Sequence, residues 1–369
     1  MHIVHTESSC GWGGQEIRIL TEAAGMVTRG HEITLLCPAE SQIFRAAPRY
    51  GLSAVALPIA RKNLRGLLAL RRWLAVHAQD IAIINTHSST DTWLAALACQ
   101  TMKNPPPLLR TRHVSSSVSK NVPTYWLYQK AVKHIVVTGE ALREQLARDN
   151  RYVPTSMTSV PTGIDLDRYR PRTQSECRGA LGLPDGKLIG ILATLRSWKG
   201  HVYLFEAMAA LLPSFPTLRL AVIGDGPNLA RYQQRVVELG IAHAVDCFGR
   251  QENAEIWLGA LDVFVLPSYG DEGISQALMQ AMATGLPVIT TPIGGLAEMV
   301  TNDQTGLLVP PRDSQALVLA ISRLLEDTAL RQRLADAGFH YAREKCSLEK
   351  MLDSMEAIFL RHARRQANA

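Results

Sequence analysis

Residues 266–285 read LPSYGDEGISQALMQAMATG, from Leu266 to Gly285. The stretch opens on the end of an apolar run, Val263-Phe264-Val265-Leu266, which reads as a buried strand closed by Pro267. A polar loop with Gly270 and Gly273 follows. Apolar residues then recur at helical spacing (Ile274, Ala277, Leu278, Ala281, Met282), which predicts a helix over 274–284 stopped by Gly285 and Pro287. A strand, a glycine-containing loop and a helix N-terminus present backbone N–H groups suited to a phosphate, here from Gly273, Ile274 and Ser275. The carboxylate of Glu272, just before that helix, suits sugar hydroxyls. Together they predict a ligand that is both a phosphate ester and a sugar.

The spacing of Pro267-Ser268, Glu272-Gly273, Gln280-Ala281-Met282-Ala283, Gly285, Pro287-Val288, Gly294-Gly295 and Glu298 continues into Thr305-Gly306-Leu307-Leu308-Val309. This pattern resembles the nucleotide-sugar signature of retaining glycosyltransferase family 4. The resemblance covers nearly the whole chain and is most specific over 190–310. It implies the GT-B fold, two Rossmann-like α/β domains facing each other across a cleft. Residues 1–168 would form an acceptor-binding domain and 169–346 a nucleotide-sugar-binding domain, with a C-terminal helix of about 347–369 crossing back to the first. In the family, a first glutamate contacts the donor sugar and a second, eight positions on, bonds the ribose. Glu272 matches the first. Gln280 stands at the second, keeping a carbonyl acceptor and losing the charge. The "NGID" segment that leads into the family's second domain is matched by Pro161-Thr162-Gly163-Ile164-Asp165.

Composition sets the outer bounds. A chain of 369 residues has room for two cores. With 47% hydrophobic and 20% charged residues it reads as an ordinary soluble globular protein. Its six cysteines lack any CxxC pair and read as reduced core residues, with no zinc site. No signal peptide or membrane-spanning run is evident, so a cytoplasmic protein is expected. Residues 1–168 hold 19 Lys+Arg against 12 Asp+Glu, a net of +7, while 169–369 hold 20 against 21. A basic first half predicts an anionic partner. Without interleaved aromatics on a basic motif, nucleic acid is not expected.

The chain opens as βαβ: a strand over 1–6, a helix over 15–29 and a strand over 31–36, so a parallel sheet is expected. Gly13, Gly14 and Gln15 precede or start the helix, where a diphosphate or acceptor can approach the backbone closely. Their spacing misses the dinucleotide fingerprint, which argues against a dehydrogenase. Strands over 81–87 and 108–114 carry His87 and His113 at their carboxyl ends, where ligands of open α/β sheets bind. By resemblance His113 matches a histidine near the donor sugar, while His87 and Asp91 are candidate acceptor contacts. Arg196 and Lys199 match the family's basic pair, whose fixed cations stabilise charge on the leaving diphosphate. Arg250 and Gln251 follow a strand whose loop lies against the nucleobase in relatives. A last helix is expected over 344–360.

Residues 61–76, RKNLRGLLALRRWLAV, form a basic amphipathic segment suited to peripheral contact with an anionic inner-membrane surface. The function expected is transfer of a sugar from a nucleotide-diphosphate donor to a hydroxyl of an envelope glycan or glycolipid, such as lipopolysaccharide core. No cofactor or metal is expected, since no Asp-x-Asp motif occurs and Arg196, Lys199 and the helix N-terminus supply the positive field. A non-catalytic nucleotide-sugar-binding subunit and a nucleotide-sugar epimerase are the alternatives.

Overall fold

The computed structural model of the protein describes residues 1–114, 116–270 and 272–364. The chain divides into two compact units, residues 1–163 with 349–364, and residues 164–348. Seven strands build the first: β1 (His2–Thr6), β2 (Glu32–Cys37), β3 (Ser53–Ala56), β4 (Ile81–Thr86), β5 (Leu108–Arg112), β6 (His134–Val137) and β7 (Met157–Ser159). All are parallel, in the order β3-β2-β1-β4-β5-β6-β7. The run Ile81-Ala82-Ile83-Ile84 is apolar throughout because β4 is covered on both faces and wholly buried.

The second unit repeats the design with β8 (Leu188–Leu192), β9 (Arg219–Ile223), β10 (Val245–Gly249), β11 (Val263–Leu266), β12 (Val288–Thr290) and β13 (Leu307–Leu308). These too are parallel, in the order β10-β9-β8-β11-β12-β13. In each sheet the strand order reverses once, between β1 and β4 and between β8 and β11. The crevice beyond the carboxyl ends of those strands is where open α/β sheets bind ligands.

The division between the units falls at 163/164 where 168/169 was expected, and two helices are bounded differently from expectation. The helix after β11 spans Gln276–Ala283, because Ser275 caps it by accepting from the backbone N–H of Leu278 at 3.4 Å. Glu344 belongs to the helix Thr328–Lys345, and the last helix is Leu348–His362. The break lies at Cys346-Ser347, whose backbone pairs with Ile164 (Ile164 N–H to Cys346 O, 2.7 Å; Leu348 N–H to Ile164 O, 3.0 Å). From Glu349 the helix packs in the first unit. Its Glu349, Asp353 and Glu356 share one face and all three bond the Arg29 guanidinium at 2.7–2.8 Å.

In the second unit His201 is fully buried, stacked on Tyr232 (ring centroids 4.9 Å), and neither ring nitrogen has a partner. Burial, aided by Lys199, lowers its pKa to about 3. The unfolded chain binds this proton as pH falls through 6.5, whereas the folded protein refuses it until about pH 3. The stability from neutral His201 is therefore complete above pH 6.5 and is lost on acidification. Replacing His201 with Phe should remove that loss. Denaturant unfolding from pH 6 to pH 4 should show the variant gaining on the native protein by up to about 1.4 kcal/mol per pH unit, and a pH-independent difference would contradict the assignment.

Candidate active site

In the second unit the loops after β8, β11 and β12 meet at the sheet's reversal point. The first carries Arg196-Ser197-Trp198-Lys199-Gly200. At Gly200 the backbone is left-handed (φ 78°), and a Cβ would lie 2.0 Å from the Pro267 carbonyl oxygen. Only glycine lets this loop close on the next. The Tyr269 N–H donates to Trp198 O at 2.8 Å, tying the two together. The third loop is held likewise. Gly294 (φ 54°) has room for no Cβ against the Glu272 carbonyl, and Gly295 N–H donates to that carbonyl at 3.1 Å. The paired glycines of the motif thus exist to press the β12 loop onto the β11 loop.

The closure brings Lys199 and Glu272 together. Lys199 Nζ lies 2.7 Å from Glu272 Oε1, which also accepts from Ser268 Oγ at 2.7 Å. Their side chains are 16% and 7% exposed, so the pair is nearly desolvated. Arg196 is exposed, with its guanidinium 5.2 Å above the Trp198 ring. Gln280 is half-buried on the helix Gln276–Ala283. Arg250 is exposed at the end of β10, whereas Gln251 is engaged locally, donating to Phe248 O (2.7 Å) and accepting from Trp257 Nε1 (3.2 Å). Gln251 therefore clamps the loop rather than offering its amide outward.

The first unit has a polar spine at its own reversal point. Glu7, directly after β1, is buried and accepts from the Gln15 amide, Ser88 Oγ (2.5 Å) and Ser9 N–H (2.6 Å). Gln15 also donates to Ser88 Oγ at 2.9 Å. Gly13 is the extended residue preceding the helix Gly14–Thr28. Asp91 corrects an expectation: it is fully buried, and its oxygens accept from Thr6 Oγ1 (2.6 Å) and the N–H groups of His87 and Ser88 (both 2.9 Å). It caps the helix Ser89–Gln100 from beneath the site, out of an acceptor's reach. Burial, and for Glu7 the nearby Asp91, pushes Glu7 up to about 8 and Asp91 up to about 6.

His87 likewise has no nitrogen left for an acceptor. Its Nε2 pairs with His5 Nδ1 (2.9 Å) and its Nδ1 with His113 Nε2 (3.0 Å). Burial holds all three imidazoles neutral, His5 at about 4 and the other two well below 6.5. His5 Nε2 is buried without a partner. An orphaned lone pair costs less than an orphaned N–H, so His5 places its proton on Nδ1 and donates along the chain. His87 then donates from Nδ1, and His113 keeps its own proton on Nδ1. His113, at the rim, is thereby fixed as a hydrogen-bond donor. His5, Glu7 and Ser268 were not singled out from sequence, although His5 and Glu7 stand at the carboxyl end of the first strand, where the reversal-point rule could have found them.

Residues 12–168 match the model for Glycosyltransferase Family 4, and residues 174–341 that for glycosyl transferases group 1. The chain is 31% identical over 263 residues to the lipopolysaccharide core biosynthesis mannosyltransferase LpsB of Rhizobium meliloti, covering 68% of this chain and 72% of that one. The chain belongs to glycosyltransferase family 4. This glycosyltransferase is also 27% identical over 349 residues to a phosphatidyl-myo-inositol mannosyltransferase of Mycobacterium tuberculosis, over 88% and 87% of the two chains. Its GT-B fold matches the crystal structure of Anabaena HepE in complex with UDP (TM-score 0.87, 19% identity, 98% of this chain and 100% of that one).

The ion pair and the exposed arginine of this glycosyltransferase predict unequal responses to substitution. Lys199→Met leaves the buried Glu272 carboxylate without its cation and should cost roughly 3 kcal/mol, the lower end for a broken buried pair, given the partial exposure of Lys199. Arg196→Ala should stay within about 0.5 kcal/mol of the native protein. Denaturant unfolding of the two variants measures both; equal stabilities would contradict the buried-pair reading.

Proposed function

We propose that the chain is a retaining, metal-independent glycosyltransferase that moves a hexose from a nucleoside diphosphate sugar to a hydroxyl of an envelope glycan or glycolipid. Mannose is the first sugar to test, because LpsB and the mycobacterial relative are both named mannosyltransferases. HepE, described in complex with UDP and with UDP-glucose, supports a nucleotide sugar as donor. The observation that carries the reading is the Lys199–Glu272–Ser268 cluster at the reversal point of the second sheet.

An ammonium has three donors. One of Lys199's is committed to Glu272, leaving two for the donor diphosphate, whose charge grows as the sugar–phosphate bond breaks. Arg196 adds a second cation. Ser268 and Lys199 both occupy Oε1 of Glu272, so Oε2 keeps its acceptor capacity for a hydroxyl of the donor sugar. Glu272 in this role orients the sugar and is not a covalent nucleophile. The leaving phosphate oxygen takes the proton of the incoming hydroxyl on the same face of the ring, which retains the anomeric configuration. Gly273, Ile274 and Ser275 approach the phosphates through the backbone, Gln280 reaches the ribose and Arg250 the base.

Gln280 makes the ribose assignment testable. Gln280→Glu should leave kcat/KM for donor turnover unchanged or raise it, by adding a charge-assisted hydrogen bond. A collapse of turnover in a folded variant would show a site rebuilt around a neutral side chain.

The reading places the enzyme at the cytoplasmic face of a membrane, against which its first unit docks. No described helix is long and apolar enough to cross a membrane. In the helix Leu64–His77, Leu70 and Leu74 are buried, but Leu64 (68%) and Leu68 (41%) are exposed beside exposed Arg61, Lys62, Arg65 and Arg72. Leu64 and Leu68 thus face solvent beside these cations. Arg71 is half-buried and donates to Thr101 Oγ1 at 2.8 Å. Four exposed cations at about 1 kcal/mol each near an anionic surface suffice for reversible docking. Co-sedimentation with anionic vesicles should fall as salt is raised, and should fall with Arg61/Lys62/Arg65/Arg72→Ser. Equal partitioning of native and variant protein would contradict docking through this helix.

A further inference from the structure

The first unit holds a pocket of ≈ 540 Å³ lined by His113, Val114 and residues of 116–121. Its floor is built from two arginines on β5. Arg110 is 3% exposed and Arg112 5% exposed, and they point to the same face because residues two apart on a strand do so. Arg110 donates from Nη1 to Ser88 O (2.8 Å) and to Thr92 Oγ1, and its guanidinium lies 5.1 Å from the centre of the Tyr128 ring. Arg112 donates to Tyr128 Oη (3.2 Å) and to Ser116 O. The Nε atoms of both are buried with no partner.

Neither arginine has a carboxylate within ion-pair distance among the described residues, although Asp91 acts on Arg110 electrostatically from further off, and burial depresses the Arg112 guanidinium. The pocket lining includes a third cation, Lys62, and no carboxylate. Two acids lie behind the wall: Asp91, which interacts electrostatically with Arg110 and whose oxygens are taken by Thr6 and the backbone of His87 and Ser88, and Glu7, which accepts from the lining Gln15 and Ser88 and is pushed up to about 8 by burial. Two buried guanidiniums without carboxylates are costly unless an anion arrives to pair with them. A guanidinium fork fits the oxygens of a phosphate or carboxylate. The rest of the wall is hydroxyl-rich (Ser88, Ser116, Ser117, Ser119, Thr124), as a sugar requires, and the volume is in the range of small-molecule sites.

We propose that this pocket binds an acidic sugar unit of the acceptor, seating its phosphate or carboxylate on Arg110, Arg112 and Lys62 while the hydroxyl-lined wall holds the ring. The assignment rests on the transferase reading above and narrows the acceptor to an anionic saccharide. Neutral His113 borders the pocket without adding charge.

The test is binding of mannose 6-phosphate, galacturonic acid and mannose to the full-length protein, followed by calorimetry at about 50 and 500 mM salt. At low salt at least one acidic sugar should bind tenfold or more tighter than mannose, and the phosphate and carboxylate arms show which anion is preferred. High salt should erase most of that preference. Lys62→Ser, at an exposed position, should lower acidic-sugar affinity severalfold without changing mannose binding. Arg112→Gln, with folding checked by its unfolding midpoint, should abolish the preference. Equal affinity for neutral and acidic sugars, or displacement of the acidic sugar by a nucleoside diphosphate, would overturn the assignment, the latter by giving the pocket to the donor. Slow release of nucleoside diphosphate from a panel of nucleotide sugars is measured on native protein in parallel. Turnover there with no acidic preference sinks the pocket assignment alone; acidic preference with no turnover counts against the transferase reading and leaves the pocket standing.

Discussion

The Lys199–Glu272 ion pair sets the terms for the second unit. A lysine and a glutamate 2.7 Å apart, each largely out of water, are tolerated only when every neighbouring loop is fixed to hold them. The fixing is visible in the backbone: Gly200 allows the β8 loop to touch Pro267, and Gly294-Gly295 allows the β12 loop to touch Glu272. Three chain segments distant in sequence become one rigid rim above the sheet. On the proposed function, such a rim would give a diphosphate sugar fixed charges that need no rearrangement as the bond breaks, the property that makes electrostatic stabilisation effective.

The first unit uses burial differently. Its reversal point is filled by titratable groups that burial pushes toward their uncharged forms: Glu7 raised to about 8, Asp91 to about 6, and a chain of three neutral imidazoles ending at His113. Against that spine, the two buried arginines of β5 form no ion pair among the described residues. One unit thus presents a cation already balanced by a carboxylate, the other two buried cations that form no ion pair among the described residues. A donor whose leaving group is a diphosphate and an acceptor that is itself acidic fit this division of charge.

Much of this was legible in the sequence because the determining signals are local. The apolar run Val263–Leu266 and the glycines after it specify a strand and a tight loop wherever they fold, and the strand lies where the pattern put it. The helix that follows began two residues late because a hydroxyl cap at Ser275 outweighed the apolar periodicity starting at Ile274. The tail helix was placed too early because the pairing of Cys346-Ser347 with Ile164 joins residues 182 or more positions apart, which no window of sequence contains. The same limit hid the site chemistry. His87 and Asp91 look like ligand contacts in sequence; only the fold reveals that His5, Thr6 and His113 consume their polar atoms. Lys199 and Glu272 were both recognisable, but their pairing was not.

The central claim, retaining transfer from a nucleoside diphosphate sugar, is tested most directly by the anomer first released. Purified protein incubated with anomerically 13C-labelled GDP-mannose, UDP-glucose and related donors, followed by NMR faster than mutarotation, reports the configuration at the scissile carbon. The account predicts slow turnover of at least one α-linked donor with the α-anomer appearing first, and loss of that signal in Lys199→Met and Glu272→Gln. Initial release of the β-anomer, or no turnover of any donor by the folded protein, would contradict it.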